Sequence, residues 1–283
     1  MTHTNFTGQE VLELQLKDVR VEGAPEPEAQ RAPRLRTVNI TLAPGEWLYI
    51  AGTNGSGKST LARLLAGLSM EGVSGTIVRG FAGEYPAPYV MQQPDAQLFG
   101  ETPREEIAFA LEWMGMKADE IDSRLTETLR RTGLAAVSDV AWEQLSGGQK
   151  QLAAIAAAIA AEAPLLVLDE ATSMLDDQTR SLAHELIRER HAAGSAIVWV
   201  TQRLDELMPE ERVVAVIEGE IGFDGRARDF FYGRDEASGT TPCEASGLQP
   251  GYLMKLALAM RDEGLLRDPL PMTDAEWREV VDL

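Results

Sequence analysis

The chain has a single cysteine, Cys243, which excludes an internal disulfide bond and fits a reducing compartment. Long apolar runs are also missing. The longest, residues 152–161, falls well short of the roughly 20 apolar residues that a membrane-spanning helix needs. The N-terminus, MTHTNF, is neither basic nor apolar, so no secretory signal is expected. These absences predict a soluble, cytoplasmic chain.

Basic residues are also few. Lys and Arg number 26 against 45 Asp and Glu, which gives a formal net charge of −19 over 283 residues. Phosphate backbones need clustered Lys and Arg, so no nucleic-acid partner is expected. An anionic membrane surface would also repel the chain, so attachment to a membrane would require a protein partner. The plainest interpretation of the charge is a well-solvated surface.

Three motifs carry the chemistry, and the first is a glycine-rich phosphate loop. Gly52–Ser59 matches G-x-x-x-x-G-K-S/T between a predicted buried strand, Trp47–Ala51, and a predicted helix at residues 59–68. Backbone N–H groups of such a loop converge on phosphate oxygens at a helix N-terminus. Lys58 is expected to reach the β and γ phosphates of a nucleoside triphosphate, and Ser59 to bind magnesium. The candidate nucleotide-contacting residues are Asn54, Gly55, Ser56, Gly57, Lys58, Ser59 and Thr60.

The second motif is an acidic strand end. The apolar residues 165–168 lead into Asp169, a candidate magnesium ligand, and Glu170, a candidate general base for the attacking water. An exposed strand end is the plainer interpretation of one Asp-Glu pair, but its position behind Lys58 favours catalysis. Gln92 lies in a loop between these motifs, and its amide is a candidate ligand for magnesium or water. Alone, a loop glutamine carries little information.

The third motif, LSGGQ at residues 145–149, opens an alanine-rich segment that favours a helix. Ser146 supplies a hydroxyl, and Gly147 and Gly148 supply backbone N–H groups, at a helix N-terminus that favours anions. Gln149 completes this candidate phosphate-contacting set. One chain thus carries two anion sites for one triphosphate, which is explained if each chain completes its partner's site in a dimer. A chance serine-glycine turn is the alternative.

The remaining elements alternate between strands and helices, which indicates a mostly parallel α/β sheet. Residues 103–134 interrupt this pattern with amphipathic helices. Residues 23–35 hold three prolines and predict a surface loop. Further predicted strands lie at residues 11–16, 37–42, 165–170, 196–201, 213–217 and 220–223, and further helices at residues 121–132, 150–161, 177–192, 251–263 and 273–281.

The motifs together resemble those of ABC-transporter nucleotide-binding subunits, and more narrowly the ATPase subunits of energy-coupling-factor importers. Residues 92–99, QQPDAQLF, are similar to that family's extended Q-loop, usually Q-N-P-D-x-Q. Residues 145–151 read LSGGQKQ. Residues 169–176, DEATSMLD, resemble the first of the two paralogous ATPases in such importers. The resemblance covers nearly all of residues 11–283.

The resemblance implies an α/β fold with a RecA-like P-loop ATPase core and an antiparallel β part. An ABC ATPase domain is expected at residues 1–232, with a helical subdomain inserted at about residues 95–162. Residues 233–283 are expected to form a linker and a small helical C-terminal extension.

The resemblance also implies a dimer that uses ATP and Mg²⁺ and hydrolyses ATP to power uptake of a vitamin or a metal ion. Residues 173–176 would be the D-loop, which links one ATP site to the other. The expected partners are a paralogous ATPase (or a second copy in a homodimer), a transmembrane coupling subunit and a small substrate-capturing membrane subunit. The chain would be peripheral, on the cytoplasmic face of the membrane.

Two departures from the family pattern stand out. The family usually has a histidine in T-H-x-x-D-E, where it contacts the γ phosphate, and here Gln202 takes its place. An amide can bind a phosphate or the attacking water but cannot carry a proton, so slow turnover is expected. The family often stacks an aromatic residue on adenine. Residues 19–24 hold none, which leaves Arg20 or Val21 as substitutes.

Other function classes are weighed against this interpretation. A soluble ABC protein of ribosomes would usually carry two cassettes, and a DNA-repair ATPase would insert a long coiled coil or a zinc site. A regulatory ABC module with slow hydrolysis fits Gln202 but not Glu170. The ATPase of another ABC transporter class remains an alternative.

Overall fold

The computed structural model describes residues 12–23, 34–235 and 239–281. Its strands are β1 Leu14–Val21, β2 Leu35–Leu42, β3 Trp47–Ala51, β4 Val73–Val78, β5 Tyr89–Val90, β6 Leu165–Asp169, β7 Ala196–Val200, β8 Arg212–Ile217 and β9 Glu220–Arg226. They form an antiparallel sheet of order β2-β1-β4 and a larger sheet of order β5-β6-β7-β3-β8-β9. The predicted α/β core with an antiparallel part is confirmed.

The larger sheet is parallel except for its last pair, β8 with β9. Strand β3 is buried on both faces of this sheet, because Trp47 and Tyr49 join one apolar cluster and Leu48 and Ile50 join another. Near-continuous apolar runs of this kind suit parallel strands covered on both sides. The carboxyl ends of β3, β6 and β7 therefore lie side by side at one edge of the sheet.

The helices are α1 Lys58–Ala66, α2 Pro103–Trp113, α3 Ala118–Arg131, α4 Gly147–Ala160, α5 Asp177–Ala192, α6 Ala227–Tyr232, α7 Pro242–Ala245, α8 Tyr252–Asp262 and α9 Asp274–Val281. Helices α2, α3 and α4 enclose a separate apolar cluster that includes Ile107, Leu129 and Ala153. The inserted helical subdomain thus has a core of its own. Among the described residues, no helix is both long enough and apolar enough to cross a bilayer.

The C-terminal extension shares the core of the ATPase domain. Leu270 and Met272 belong to the same apolar cluster as Trp47. The guanidinium of Arg228, on α6, donates to the carboxylate of Glu276, on α9, at 2.6 Å. The apolar core therefore continues across the proposed domain boundary near residue 232.

Some elements differ from the sequence-based expectations. Strand β1 begins at Leu14, whereas the alternating pattern predicts it at residues 11–16; residues 1–11 lie outside the described part. Most of the predicted surface loop, residues 24–33, also lies outside it. The expected linker contains the short helix α7, and a capping box formed by Thr241 and Glu244 marks the start of this helix. The sequence did not predict strand β4, because its residues are mostly exposed and show no apolar alternation.

Candidate functional site

The phosphate loop connects β3 to α1, and its shape requires glycine at two positions. Gly52 and Gly57 have φ angles of 147° and 111°, which L side chains rarely adopt. A Cβ atom on Gly52 would also lie 2.4 Å from the carbonyl oxygen of Val216. The loop is therefore closely packed against β8, with α1 beginning at Lys58.

Lys58 and Ser56 give this loop the groups that a triphosphate needs. The Lys58 ammonium is nearly buried and donates to the carbonyl of Thr53 at 2.9 Å. Burial lowers the pKa of Lys58, and the charges of Glu170 and Asp169 oppose that shift. The Ser56 hydroxyl is buried and has no hydrogen-bond partner. A cation and an unused donor in one loop fit an anionic ligand.

Asp169 ends β6, and its carboxylate is held from two sides. The Ser59 hydroxyl donates to Oδ1 at 3.1 Å, and the Tyr89 hydroxyl donates to Oδ2 at 2.6 Å. The structure thus brings together Ser59 and Asp169, two of the three residues expected to bind magnesium, whereas the third, Gln92, donates to Glu170. No cluster of three or more His, Cys, Asp or Glu suited to a metal exists in the described residues. One carboxylate and one hydroxyl still fit Mg²⁺, because this ion completes its shell with water and substrate phosphates.

Glu170 has a φ angle of 51°, and its N–H donates to the Val200 carbonyl at 3.0 Å. Two amides hold its exposed carboxylate. Gln92 Nε2 donates to Oε2 at 3.0 Å, and Gln202 Nε2 donates to Oε1. Gln202 also donates to the Asn54 side chain, in the phosphate loop, at 2.8 Å. The candidate base, both glutamines and the loop therefore form one hydrogen-bonded group.

The LSGGQ residues are arranged as a helix cap. Ser146 Oγ accepts from the Gln149 N–H at 3.2 Å, and Gln149 Oε1 accepts from the Ser146 N–H at 2.9 Å. Gly147 and Gly148 pack beside Met174 of the predicted D-loop, so a Cβ on either would lie 3.5 Å from that residue. Ser146 and Gly147 are exposed at the start of α4, beside a segment expected to lie at a dimer interface.

Polar side chains join the segment around Gln92 to α4, the helix that LSGGQ begins. Gln151 Nε2 donates to the Met91 carbonyl at 3.0 Å, and Lys150 pairs with Asp95 at 2.6 Å. Gln97 Oε1 accepts from the Met91 N–H at 2.6 Å. Sequence reasoning missed Gln151 and Lys150 as connecting residues, although both directly follow LSGGQ. A movement of α4 would therefore move the segment that carries Gln92.

A buried carboxylate, that of Glu206, lies behind the hydrogen-bonded group around Glu170. Glu206 accepts from Thr201 at 2.6 Å and from Thr172 at 2.7 Å, and His184 Nε2 lies 3.6 Å from it. Burial alone would raise the pKa of Glu206, but the nearby His184 imidazole and the hydrogen bonds from Thr201 and Thr172 outweigh it and lower the pKa. Glu206 thus links Thr201, which precedes Gln202, to Thr172, which follows Glu170 by two residues.

Two histidines of α5 are less exposed than the sequence predicts. The amphipathic pattern of residues 177–192 predicts that His184 and His191 are solvated on the helix surface, but both are half-buried. His184 stacks on Trp199 with ring centroids 4.4 Å apart, and His191 Nε2 lies 2.9 Å from the Gly45 carbonyl. The amphipathic pattern of α5 could not show which neighbouring residues cover its polar side.

The expected adenine contacts also change. Val21 is 1% exposed, because it points into the core between the two sheets, and cannot contact a base. Arg20 points to the opposite face, where its guanidinium donates to the Thr37 hydroxyl at 3.0 Å. Of the two substitutes, Arg20 alone is accessible.

An apolar groove lies between the core and the helical subdomain. Phe99 is 77% exposed and Trp113 is 70% exposed, and Phe109 lies between them, stacked on Phe99 and tilted against Trp113. The Glu106 carboxylate accepts the backbone N–H groups of Phe99 and Gly100 at 2.8 and 3.0 Å, which fixes the loop that carries Phe99. The groove has a volume of about 430 Å³, and Tyr89 lines it.

Comparison with known proteins agrees with this geometry. Residues 35–173 match the ABC transporter family. The energy-coupling factor transporter ATP-binding protein EcfA1 of Halalkalibacterium halodurans is 34% identical over 89% of this chain and 93% of its own length. The fold and the site thus define an ABC-type ATPase. More narrowly, the chain belongs to the family of energy-coupling factor transporter ATP-binding proteins.

Solved structures show the same fold. CbiO1 from Clostridium perfringens, described as part of the ABC transporter complex cbiONQ, matches with a TM-score of 0.61 and 27% identity over 79% of this chain and 91% of its own. The ATP-binding cassette MJ0796, described as dimeric and bound to ADP and Pi, matches with a TM-score of 0.64 and 26% identity over 77% of this chain and 100% of its own.

Glu206 provides a test of stability against pH. Because its hydrogen bonds lower the folded-state pKa below the ordinary 4.5, its contribution is complete above that pH and is lost as the pH falls through the folded-state value. Glu206→Gln should reduce the free energy of unfolding at pH 7 by about 2 kcal/mol. Its unfolding free energy should also fall less steeply below pH 4.5 than the parent's, as measured by urea denaturation.

Glu185→Gln, which replaces an exposed carboxylate on α5 next to His184, is the control, and it should follow the parent at every pH. Equal pH slopes for Glu206→Gln and the parent would contradict the role assigned to the buried carboxylate.

Proposed function

We propose that the phosphate-loop site binds ATP with Mg²⁺ and that Glu170 drives hydrolysis. The observation that carries this proposal is the convergence of Lys58, Asp169 and Glu170 at the carboxyl edge of the parallel sheet, where Ser59 donates to Asp169. Family membership makes the chain an ATP-hydrolysing subunit that powers a membrane importer. In an importer of this type, a vitamin or a metal ion is the cargo.

Each residue then has a part in the reaction. Lys58 and the loop N–H groups neutralise the phosphate oxygens on which charge develops. Ser59 and Asp169 would hold Mg²⁺, which would supply positive charge to the phosphate oxygens. Glu170 orients the attacking water and accepts its proton. Gln92 and Gln202 hold the Glu170 carboxylate in place, so the base is aligned before the water arrives.

The site requires a second subunit. Ser146, Gly147 and Gly148 present a hydroxyl and backbone N–H groups at the exposed start of α4. This surface would close over the triphosphate of a partner, while a partner's LSGGQ closes over the Lys58 site. A paralogous ATPase is the proposed partner, since Gln202 would then be confined to one of the two sites. A homodimer would carry Gln202 in both.

The apolar groove is the proposed docking surface for the transmembrane coupling subunit. Three neighbouring aromatic residues, two of them largely exposed, form an apolar patch of the kind that marks a protein interface. The net charge of −19 favours a partner segment with basic flanks. Docking there would place the chain on the cytoplasmic face of the membrane. A small membrane subunit that captures the cargo would complete the importer.

Replacement of the base tests the central proposal. Glu170→Gln keeps the shape of the side chain and one of its two acceptor oxygens but removes the proton acceptor. We expect ATP turnover to fall by about 10² to 10⁴, because proton transfer by a positioned group contributes that much. ATP affinity, measured by calorimetry, should stay within a few-fold of the parent's. Turnover near the parental rate would contradict the assignment of Glu170.

Gln202 gives a second test. Gln202→His, combined with the same partner subunit, introduces a side chain that can carry a proton and a positive charge. We expect its kcat to rise by roughly tenfold, a modest share of the general acid–base contribution. Gln202→Asn, whose amide is one methylene shorter, should instead slow turnover. A Gln202→His variant no faster than the parent would refute the proposal that glutamine limits this site.

The docking surface is tested by affinity purification from the native host. The parent should recover membrane subunits. Trp113→Ser should recover at least about tenfold less, because an aromatic anchor at the centre of an interface is worth 2 kcal/mol or more. Tyr252→Ser, which removes an equally exposed aromatic residue from α8, is the matched control. Recovery of ribosomes, or of no membrane protein, with the parent would overturn the importer assignment.

A further inference from the structure

The carboxylate of Asp169 accepts hydrogen bonds from opposite sides of the site. Ser59 belongs to the phosphate loop, whereas Tyr89 belongs to β5, on the far side of β6. The Tyr89 bond is 2.6 Å long, a distance typical of a hydroxyl that donates to a charged oxygen. Each carboxylate oxygen therefore has its own hydroxyl donor.

Strand β5 holds Tyr89 firmly at this position. It is parallel to β6, with Tyr89 opposite Val167 and Val90 opposite Leu168. The Pro88 carbonyl also accepts the Val167 N–H at 3.0 Å. The tyrosine is half-buried, and its ring packs against the core cluster that lies beneath the phosphate loop. The hydroxyl can thus act on Asp169 from a rigid support.

We propose that Tyr89 is a positioning residue for the magnesium-binding carboxylate of Asp169, an inference that rests on the proposed function of the site. A carboxylate without a partner on Oδ2 can rotate about its terminal bond and present either oxygen. With Oδ2 bonded to Tyr89, Oδ1 stays directed at Ser59, the other protein group expected at the metal. Partners of metal ligands commonly fix ligand orientation in this way.

Tyr89 lies beside both the apolar groove and the segment that carries Gln92. The same residue lines the apolar groove, and the chain continues from it to Gln92 within three residues. A partner seated in the groove would contact the residue that orients the magnesium carboxylate. Tyr89 is therefore the point at which the docking surface and the metal site meet.

The test is the variant Tyr89→Phe, which removes the hydroxyl and keeps the ring. The first readout is Mn²⁺ affinity in the presence of a non-hydrolysable ATP analogue, measured from the electron paramagnetic resonance signal of free Mn²⁺. We expect the affinity to fall by about tenfold, the lower end of the effect of outer-sphere partners. The second readout is the Mg²⁺ concentration for half-maximal ATPase activity of the assembled complex, which should rise by the same factor.

Two results separate positioning from general destabilisation. Binding of the ATP analogue in EDTA should equal the parent's, and kcat should return to near the parental value at saturating Mg²⁺. Tyr232→Phe is the matched control, because it also removes a tyrosine hydroxyl that donates a hydrogen bond, in this case to the Pro271 carbonyl, and leaves the site intact. Its Mn²⁺ affinity should equal the parent's. Tyr89→Met provides a second variant without the hydroxyl, should the phenylalanine variant fold poorly.

The outcomes distinguish this inference from the proposed function. Unchanged Mn²⁺ affinity in folded Tyr89→Phe or Tyr89→Met would refute the role of Tyr89 while leaving the ATPase site as proposed. A parent that binds no Mn²⁺ with the nucleotide would instead refute the proposed metal site itself. An equal loss in Tyr232→Phe would show that the effect comes from stability, and would also overturn the inference.

Discussion

The parallel pairing of β3, β7 and β6 is the constraint on which the rest of the structure depends. Parallel strands end at the same edge of a sheet, so Lys58 after β3, Asp169 and Glu170 at the end of β6, and Gln202 after β7 meet there. These residues are far apart in the chain. A register change of one residue in β6 would turn the Asp169 side chain to the other face of the sheet and separate it from Ser59.

The site is connected to the helical subdomain through a small number of polar bonds. Gln92 holds Glu170, and the backbone beside Gln92 is held in turn by Gln151 of α4. LSGGQ opens the same helix. A partner seated in the neighbouring groove and a partner that contacts LSGGQ would therefore act on one rigid element. Through α4, a partner seated in the groove could therefore act on the phosphate-loop site.

The sequence predicted the parts of the site that depend on local order. A strand, a glycine loop and a helix within twenty residues identify the phosphate loop, because backbone geometry alone creates the anion site. The lengths of the long helices and of the buried strands followed from apolar periodicity within a few residues. Strand β4 did not follow, because an exposed strand lacks that signal.

Contacts between distant segments could not be predicted in this way. Nothing near Glu206 in the sequence indicates that Thr172 and His184 surround it, and nothing near Tyr89 indicates a bond to Asp169. The sequence alone determined the chemical class of the site, because the motif residues themselves supply its hydrogen-bond donors and its charges. The tertiary structure alone decided which side chain holds which carboxylate, because only packing of the strands sets the distance between groups on separate segments.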